Sequence, residues 1–124
     1  METQQQQLRL LFNAIQHSMD YYDYKNAIFL AERAVAIDST NQESLFLLAK
    51  SHYLDGNKNT CKLYLDSNTS HGPSIVLLGT CCLDLKLYSH GQATLRKWID
   101  LNKSNCSDPS ELASAYSCLG RISR

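Results

Sequence analysis

Four histidines (His17, His52, His71, His90) and five cysteines (Cys61, Cys81, Cys82, Cys106, Cys118) are the side chains of this sequence best suited to metal or redox chemistry. Two ligands on one helix face need a separation of three or four residues, and zinc or dithiol sites are commonly seeded by a Cys-x-x-Cys pair. No two histidines stand at that separation, and no Cys-x-x-Cys occurs. An odd number of cysteines fits a reducing compartment, where each thiol packs as a small apolar group; Cys61, Cys82 and Cys118 are expected at helix contacts. No GxSxG, P-loop or HExxH motif is present, so no nucleophile and base can be grouped into a reaction centre. The expectation is a protein without catalytic activity, cofactor, bound metal or small-molecule substrate.

The charge balance narrows the partners. Twelve basic and twelve acidic residues give a formal net charge of +0, which removes the long-range attraction that nucleic acid or an anionic membrane requires. Arg96, Lys97 and Lys103 surround Trp98, but Asp100 interrupts them, and a solvated helix face accounts for the cluster. No apolar run approaches the roughly 20 residues of a membrane span. The opening METQQQQLRL lacks the basic-then-apolar order of a secretory signal, so an intracellular protein without nucleic-acid or membrane partners is expected.

What remains is binding, and its elements are helices. Leu8, Leu11, Phe12, Ile15 and Met19 fall in one helical stripe, after a glutamine run (Gln4 to Gln7) compatible with a frayed tail or a first helical turn. A second helix is expected from about Tyr24 to Ile37, with Ala27, Leu30, Ala31, Ala34 and Val35 facing inward. Asp38 to Asn41 form a turn-and-cap cluster, a third helix follows over QESLFLLAKSHYL, and Asp55-Gly56-Asn57 turns the chain into a fourth over about Lys58 to Asp66. After a polar break from Ser67 to Pro73, SIVLLGTCCLDL and SHGQATLRKWIDL are expected as helices five and six. ELASAYSCLGRI reads as a seventh, with Leu112, Ala115, Tyr116 and Leu119 at helical spacing.

Small residues recur through these helices. In the second helix of each pair, Tyr24, Ala27, Ala31 and Ala34 correspond to Lys58, Cys61, Leu65 and Asn68, with 34 residues between Ala27 and Cys61. Tyr88, Gly91, Leu95 and Trp98 continue the series. In the first helices Leu45, Leu48 and Ala49 recur as Ile75, Leu78 and Gly79 and as Tyr116, Leu119 and Gly120, at intervals of 30 and then 41 residues. This is the tetratricopeptide pattern, a helix-turn-helix unit of about 34 residues in which short side chains let helices approach closely. The expected fold is one all-α domain over residues 1–124, a right-handed superhelix of antiparallel helix pairs. Its repeats span about 8–41, 42–71 and 72–108, with the first helix of a fourth at about 109–122.

Arrays of this kind bind through the concave surface lined by their first helices. Here that surface is expected to carry Phe12, Asn13, Gln16 and Met19, then Phe46, Leu47, Lys50 and Tyr53, then Val76, Leu77, Thr80 and Leu83. Gln16, Lys50 and Thr80 occupy the places where chaperone-binding repeats put a lysine and asparagine clamp for a terminal carboxylate, so that clamp is largely missing. An apolar groove suits a helix instead. Leu10 and Ala14 lie opposite the main stripe of the first helix, which can therefore be covered from two sides; the alternative is that Leu10 is a singly exposed leucine. If the first helix of each copy enters the groove of the other, the contact closes as a two-fold dimer. Leu8, Leu10, Leu11, Phe12, Ile15, Gln16 and Met19, with the α-helical groove positions just named, form the expected dimer surface. The competing expectation is a monomeric adaptor that takes a helical peptide of another protein.

At AIFLAERAVAID, ESLFLLAKSHYLDGN and LLGTCCLDL the chain resembles the amino-terminal tetratricopeptide domain of the cell-division-cycle protein 27 family, the third subunit of the anaphase-promoting complex. The resemblance covers most of residues 8 to 122. It implies a homodimerisation module that scaffolds a multisubunit ubiquitin ligase of the cell cycle. Its partners would be a second copy and other subunits of that complex, and it would reside in nucleus and cytoplasm. The related sixth and eighth subunits share the architecture.

Overall fold

A computed structural model describes residues 3–68, 70–104 and 109–122, so Cys106 lies outside the described residues. These residues form seven helices and no strand, and the chain divides into two compact units, Met1–Tyr64 and Leu65–Arg124.

The first unit contains α1 (Gln4–Asp20), α2 (Tyr24–Ile37) and α3 (Gln42–Leu54), and α4 (Lys58–Leu65) runs to its boundary. The glutamine run is the first turn of α1. The Thr3 side chain accepts the Gln6 amide hydrogen at 3.2 Å while the Gln6 side chain accepts the Thr3 amide at 2.9 Å, a reciprocal cap that satisfies two otherwise free donors. Ala27, Ala31 and Ala34 of α2 are fully buried in a core with Leu8, Ile15, Met19, Leu47 and Leu48. Methyl side chains on α2 let α1 and α3 press against it without the gap that larger residues would force. Between α2 and α3, the Asp38 carboxylate accepts the Thr40 hydroxyl at 2.7 Å and the Thr40 amide at 3.0 Å, and these two donors hold its carboxyl below the usual range. Asn41 then caps α3 by accepting the Ser44 amide at 2.9 Å.

The second unit contains α5 (Gly72–Asp84), α6 (Tyr88–Asn102) and α7 (Pro109–Ile122) around Ile75, Leu95, Trp98, Ile99, Ala115, Cys118 and Ile122. Helix α5 begins two residues before the expected Ser74. Gly72 and Pro73, read as part of a break, form its first turn, where proline lacks only a hydrogen that would have had no intrahelical acceptor. Ser74, buried in this turn, accepts from Asn68 Nδ2 at 2.9 Å and meets His71 Nδ1 at 2.8 Å. Gly79 and Gly91 mark close approaches: a Cβ built on Gly91 lies 2.9 Å from Cys82 Cβ and 3.0 Å from Ile122 Cδ1. Trp98 is buried with its indole Nε1 lacking a hydrogen-bond partner among the described residues.

Helix α7 corrects the expected register. Gly120 is exposed with open space around its Cα, and Tyr116 also faces outward, whereas Ala115, Cys118 and Ile122 are buried. The small residue that packs as Gly79 does is Ala115, so this interval is 36 residues and not 41. Pro73-Ser74 and Pro109-Ser110, like Cys82 and Cys118, stand at the same interval.

The turns inside the three helix pairs are identical in backbone. The amides of Tyr22, Gly56 and Lys86 donate to Met19, Tyr53 and Leu83, and those of Asp23, Asn57 and Leu87 donate to Ser18, His52 and Cys82, each of the latter at 2.8 Å. The middle residue takes a positive φ of 63°, 88° and 62° respectively, the left-handed helix stop in which glycine is favoured because a Cβ is strained there. Glycine occupies it once in three. Lys86→Gly is therefore expected to raise stability by about 0.5–1 kcal/mol, the relief of left-handed strain exceeding the extra freedom of the unfolded chain. A thermal melt checks this, and a lower midpoint would contradict the strain argument.

Candidate functional site

The residues expected to line a groove separate into two kinds. Leu8, Ile15, Met19 and Leu47 are buried core members, so their side chains form the wall behind the surface rather than the surface itself. Within one copy of the chain they pack inward, and contact with a partner falls to their accessible neighbours. The stripes of α1 and α3 that face α2 take the most apolar positions.

The remaining residues of the first unit stay accessible. Leu10 is 58% exposed; Leu11, Phe12, Phe46, Lys50 and Tyr53 are half-buried, and Asn13 and Gln16 are exposed. On α3 the Lys50 ammonium lies 6.0 Å from the Phe46 ring centroid, and Lys58 Nζ lies 5.9 Å from that of Tyr53, so each aromatic face carries a cation. Gln16 is engaged on its own helix, donating to Asp20 at 2.9 Å. The arrangement offers apolar rings edged by positive charge. It suits a helix with an apolar stripe and amide or carboxylate neighbours better than a bare anion.

In the second unit Val76, Leu77, Thr80 and Leu83 are half-buried along α5. The Thr80 hydroxyl donates to the Val76 carbonyl at 3.0 Å, which leaves this face apolar in character. A 250 Å³ recess beside it is lined by Gly72, Pro73, Val76, Ser110, Glu111 and Ser114. The Glu111 carboxylate packs directly over Gly72, a contact only a residue without a side chain allows.

One part of the surface was not anticipated. Between α1 and α2 a shelf of about 550 Å³ is lined by Gln7, Leu10, Leu11, Arg33, Ala36 and Ile37. Arg33 lies 5.7 Å from the centroid of the exposed Phe29 ring. Leu10 and Leu11 were named from the sequence, but Arg33, Ala36 and Ile37 were not. The signal available was the pairing of Arg33 with Phe29 one turn earlier on a helix whose inner face was already assigned to alanines. Among the described residues no group of three or more potential metal ligands occurs, and no helix is long and apolar enough to cross a membrane.

Comparison with known proteins places this geometry. The family model described as anaphase-promoting complex, cyclosome, subunit 3 matches residues 20–98. The human cell division cycle protein 27 homolog is 33% identical over 96 residues, 77% of this chain and 11% of that protein. Anaphase-promoting complex subunit 3 of Schizosaccharomyces pombe is 40% identical over 77 residues, 62% of this chain and 11% of that protein. The chain thus spans about a tenth of the length of these relatives. Among solved structures, the Sgt2 tetratricopeptide domain of Aspergillus fumigatus superposes with a TM-score of 0.80 at 19% identity, covering 94% of this chain and 77% of that one. The second tetratricopeptide domain of human RPAP3, solved with an HSP70 peptide, gives 0.79 at 14% identity and covers 98% and 99%. These two establish the fold as an all-α tetratricopeptide array.

Proposed function

Because the chain belongs to the family of anaphase-promoting complex subunit 3, we propose that it is a non-catalytic scaffold module through which two copies of the protein join within that complex. The coarser part, a tetratricopeptide scaffold of the anaphase-promoting complex, follows from the family. Self-association, contacts with other subunits, and residence in nucleus and cytoplasm are the finer reading.

The observation that carries self-association is Leu10, 58% exposed at the edge of a 550 Å³ shelf on a helix whose opposite stripe is already buried. The apolar side of this shelf, Leu10, Leu11 and Ile37, is costly to leave in water and is covered when α1 of one copy lies against the rings of Phe46 and Tyr53 on α3 of the other. Leu11, Phe12, Gln16 and Lys50 border that contact. Val76, Leu77, Thr80 and Leu83 on α5 provide a second face of the same character. A symmetric exchange satisfies both copies at once and closes as a two-fold dimer.

Light scattering tests the reading. At micromolar concentration the mass is expected at twice the 14.0 kDa of one chain. Leu10→Asp and Phe46→Asp are each expected to return it to one chain while the helical circular dichroism is retained, since Leu10 is largely exposed and Phe46 is only half-buried at the edge of the core. A single-chain mass for the unaltered protein would reject self-association. It would leave the competing reading, in which the same face takes a helical peptide from another protein.

A further inference from the structure

We propose that the tip of the α1–α2 hairpin docks a basic segment of a partner protein, with Tyr21 and Tyr22 stacking on its lysine or arginine side chains and Asp20 and Asp23 meeting their charge. Tyr21 is 72% and Tyr22 79% exposed, the most open aromatic side chains of the described residues. They do not stand alone. The Tyr21 ring lies 4.6 Å from that of His17, and Tyr22 meets Tyr24 edge-on at 6.2 Å, so two exposed faces are held by ring neighbours rather than left to swing. An aromatic face presented to water attracts cations through its quadrupole, and arginine adds stacking to that attraction.

The charge at the tip selects the occupant. Asp20 and Asp23 bracket the two tyrosines in sequence, and neither forms an ion pair among the described residues. Asp20 accepts only the Gln16 amide at 2.9 Å, and Asp23 accepts the Asn26 amide at 3.4 Å as the cap of α2. The one nearby cation in sequence, Lys25, is committed to Asp55 at 2.9 Å. The tip is thus a pair of aromatic faces with two uncompensated carboxylates, complementary to a cationic peptide and repulsive to an acidic one. The patch adjoins the border of the proposed dimer contact through Gln16, which donates to Asp20, while Tyr21 itself lies eleven residues along from Leu10, about 16 Å at 1.5 Å per residue.

Fluorescence anisotropy on the whole chain tests the proposal with a fluorescein-labelled peptide of alternating arginine and glycine, and with its glutamate-glycine counterpart as a control. Saturable binding of the arginine peptide is expected, weakening as salt rises, with none for the control. Tyr21→Ser combined with Tyr22→Gly, which keeps the left-handed turn, is expected to weaken binding about tenfold or more. Asp20→Asn combined with Asp23→Asn is expected to weaken it and flatten the salt dependence, while asparagine still caps α2. Absence of saturable binding at millimolar peptide overturns the proposal. So does binding that is unchanged in the tyrosine variant, which would be unspecific attraction to acid, or unchanged in the aspartate variant, which would show that the two carboxylates do not select the peptide.

Discussion

Gly79→Ala is expected to lower the stability of the chain by about 1–3 kcal/mol, a fall of roughly 4–12 °C in the midpoint of a thermal melt for a chain of this size. A Cβ built there lies 2.7 Å from Cys118 Sγ and 2.9 Å from Leu95 Cδ1, so one methyl group meets α6 and α7 together. The first of these neighbours can be removed. In the Cys118→Ala background the same substitution is expected to cost less than it does alone, because the space vacated by sulfur accepts part of the new methyl. Equal penalties in both backgrounds would mean that crowding from Leu95 dominates, and no penalty in either would refute the close approach of α5 to its two neighbours.

The second large effect separates core from surface on α1. Ile15 is fully buried among α2 and α3 side chains, and Ile15→Ala is expected to cost about 2–5 kcal/mol in unfolding free energy, the loss of transfer energy together with an unfilled cavity. Leu10→Ala, five residues earlier and largely exposed, is expected to change stability by less than about 0.5 kcal/mol when the chain is dilute enough to be monomeric. Chemical denaturation at low and high protein concentration distinguishes them. Ile15→Ala shifts the midpoint at every concentration, whereas Leu10→Ala removes the concentration dependence that self-association confers on the unaltered chain. A concentration-independent midpoint in the unaltered chain would count against the dimer, and a large shift in dilute Leu10→Ala would show that this leucine belongs to the core.

These two residues also show what the sequence made legible. The bounds of α3 emerge from local chemistry: Asn41, in the turn-and-cap cluster, caps its start and Gly56 lies just past its end, whereas the break over Asp20 to Asp23 did not single out Asp23 as the cap of α2 or Tyr22 as the left-handed stop of α1. The buried series Ala27-Ala31-Ala34, Cys61-Leu65-Asn68 and Gly91-Leu95-Trp98 is equally readable, because a repeat constrains the same three positions in each unit, although Asn68 lies past the end of α4. The start of α5 was harder, since Gly72-Pro73 signals a break or a first turn with equal force. The register of α7 failed because Ala115 and Gly120 are both small and only packing distinguishes them. For the contact surface, the helical period identifies which positions are apolar but not which stripe meets its own chain. Leu8, Ile15, Met19 and Leu47 were therefore grouped with accessible neighbours, and the shelf residues Arg33, Ala36 and Ile37 were missed because two helices build it jointly.

The chain has one tryptophan, and its ring is enclosed in the second compact unit. Its emission is thus a built-in optical reporter for α5–α7, while far-ultraviolet ellipticity reads every helix in the molecule. Followed side by side against urea, the two signals ask whether Met1–Tyr64 and Leu65–Arg124 melt as one cooperative body or in sequence, with no label or substitution required.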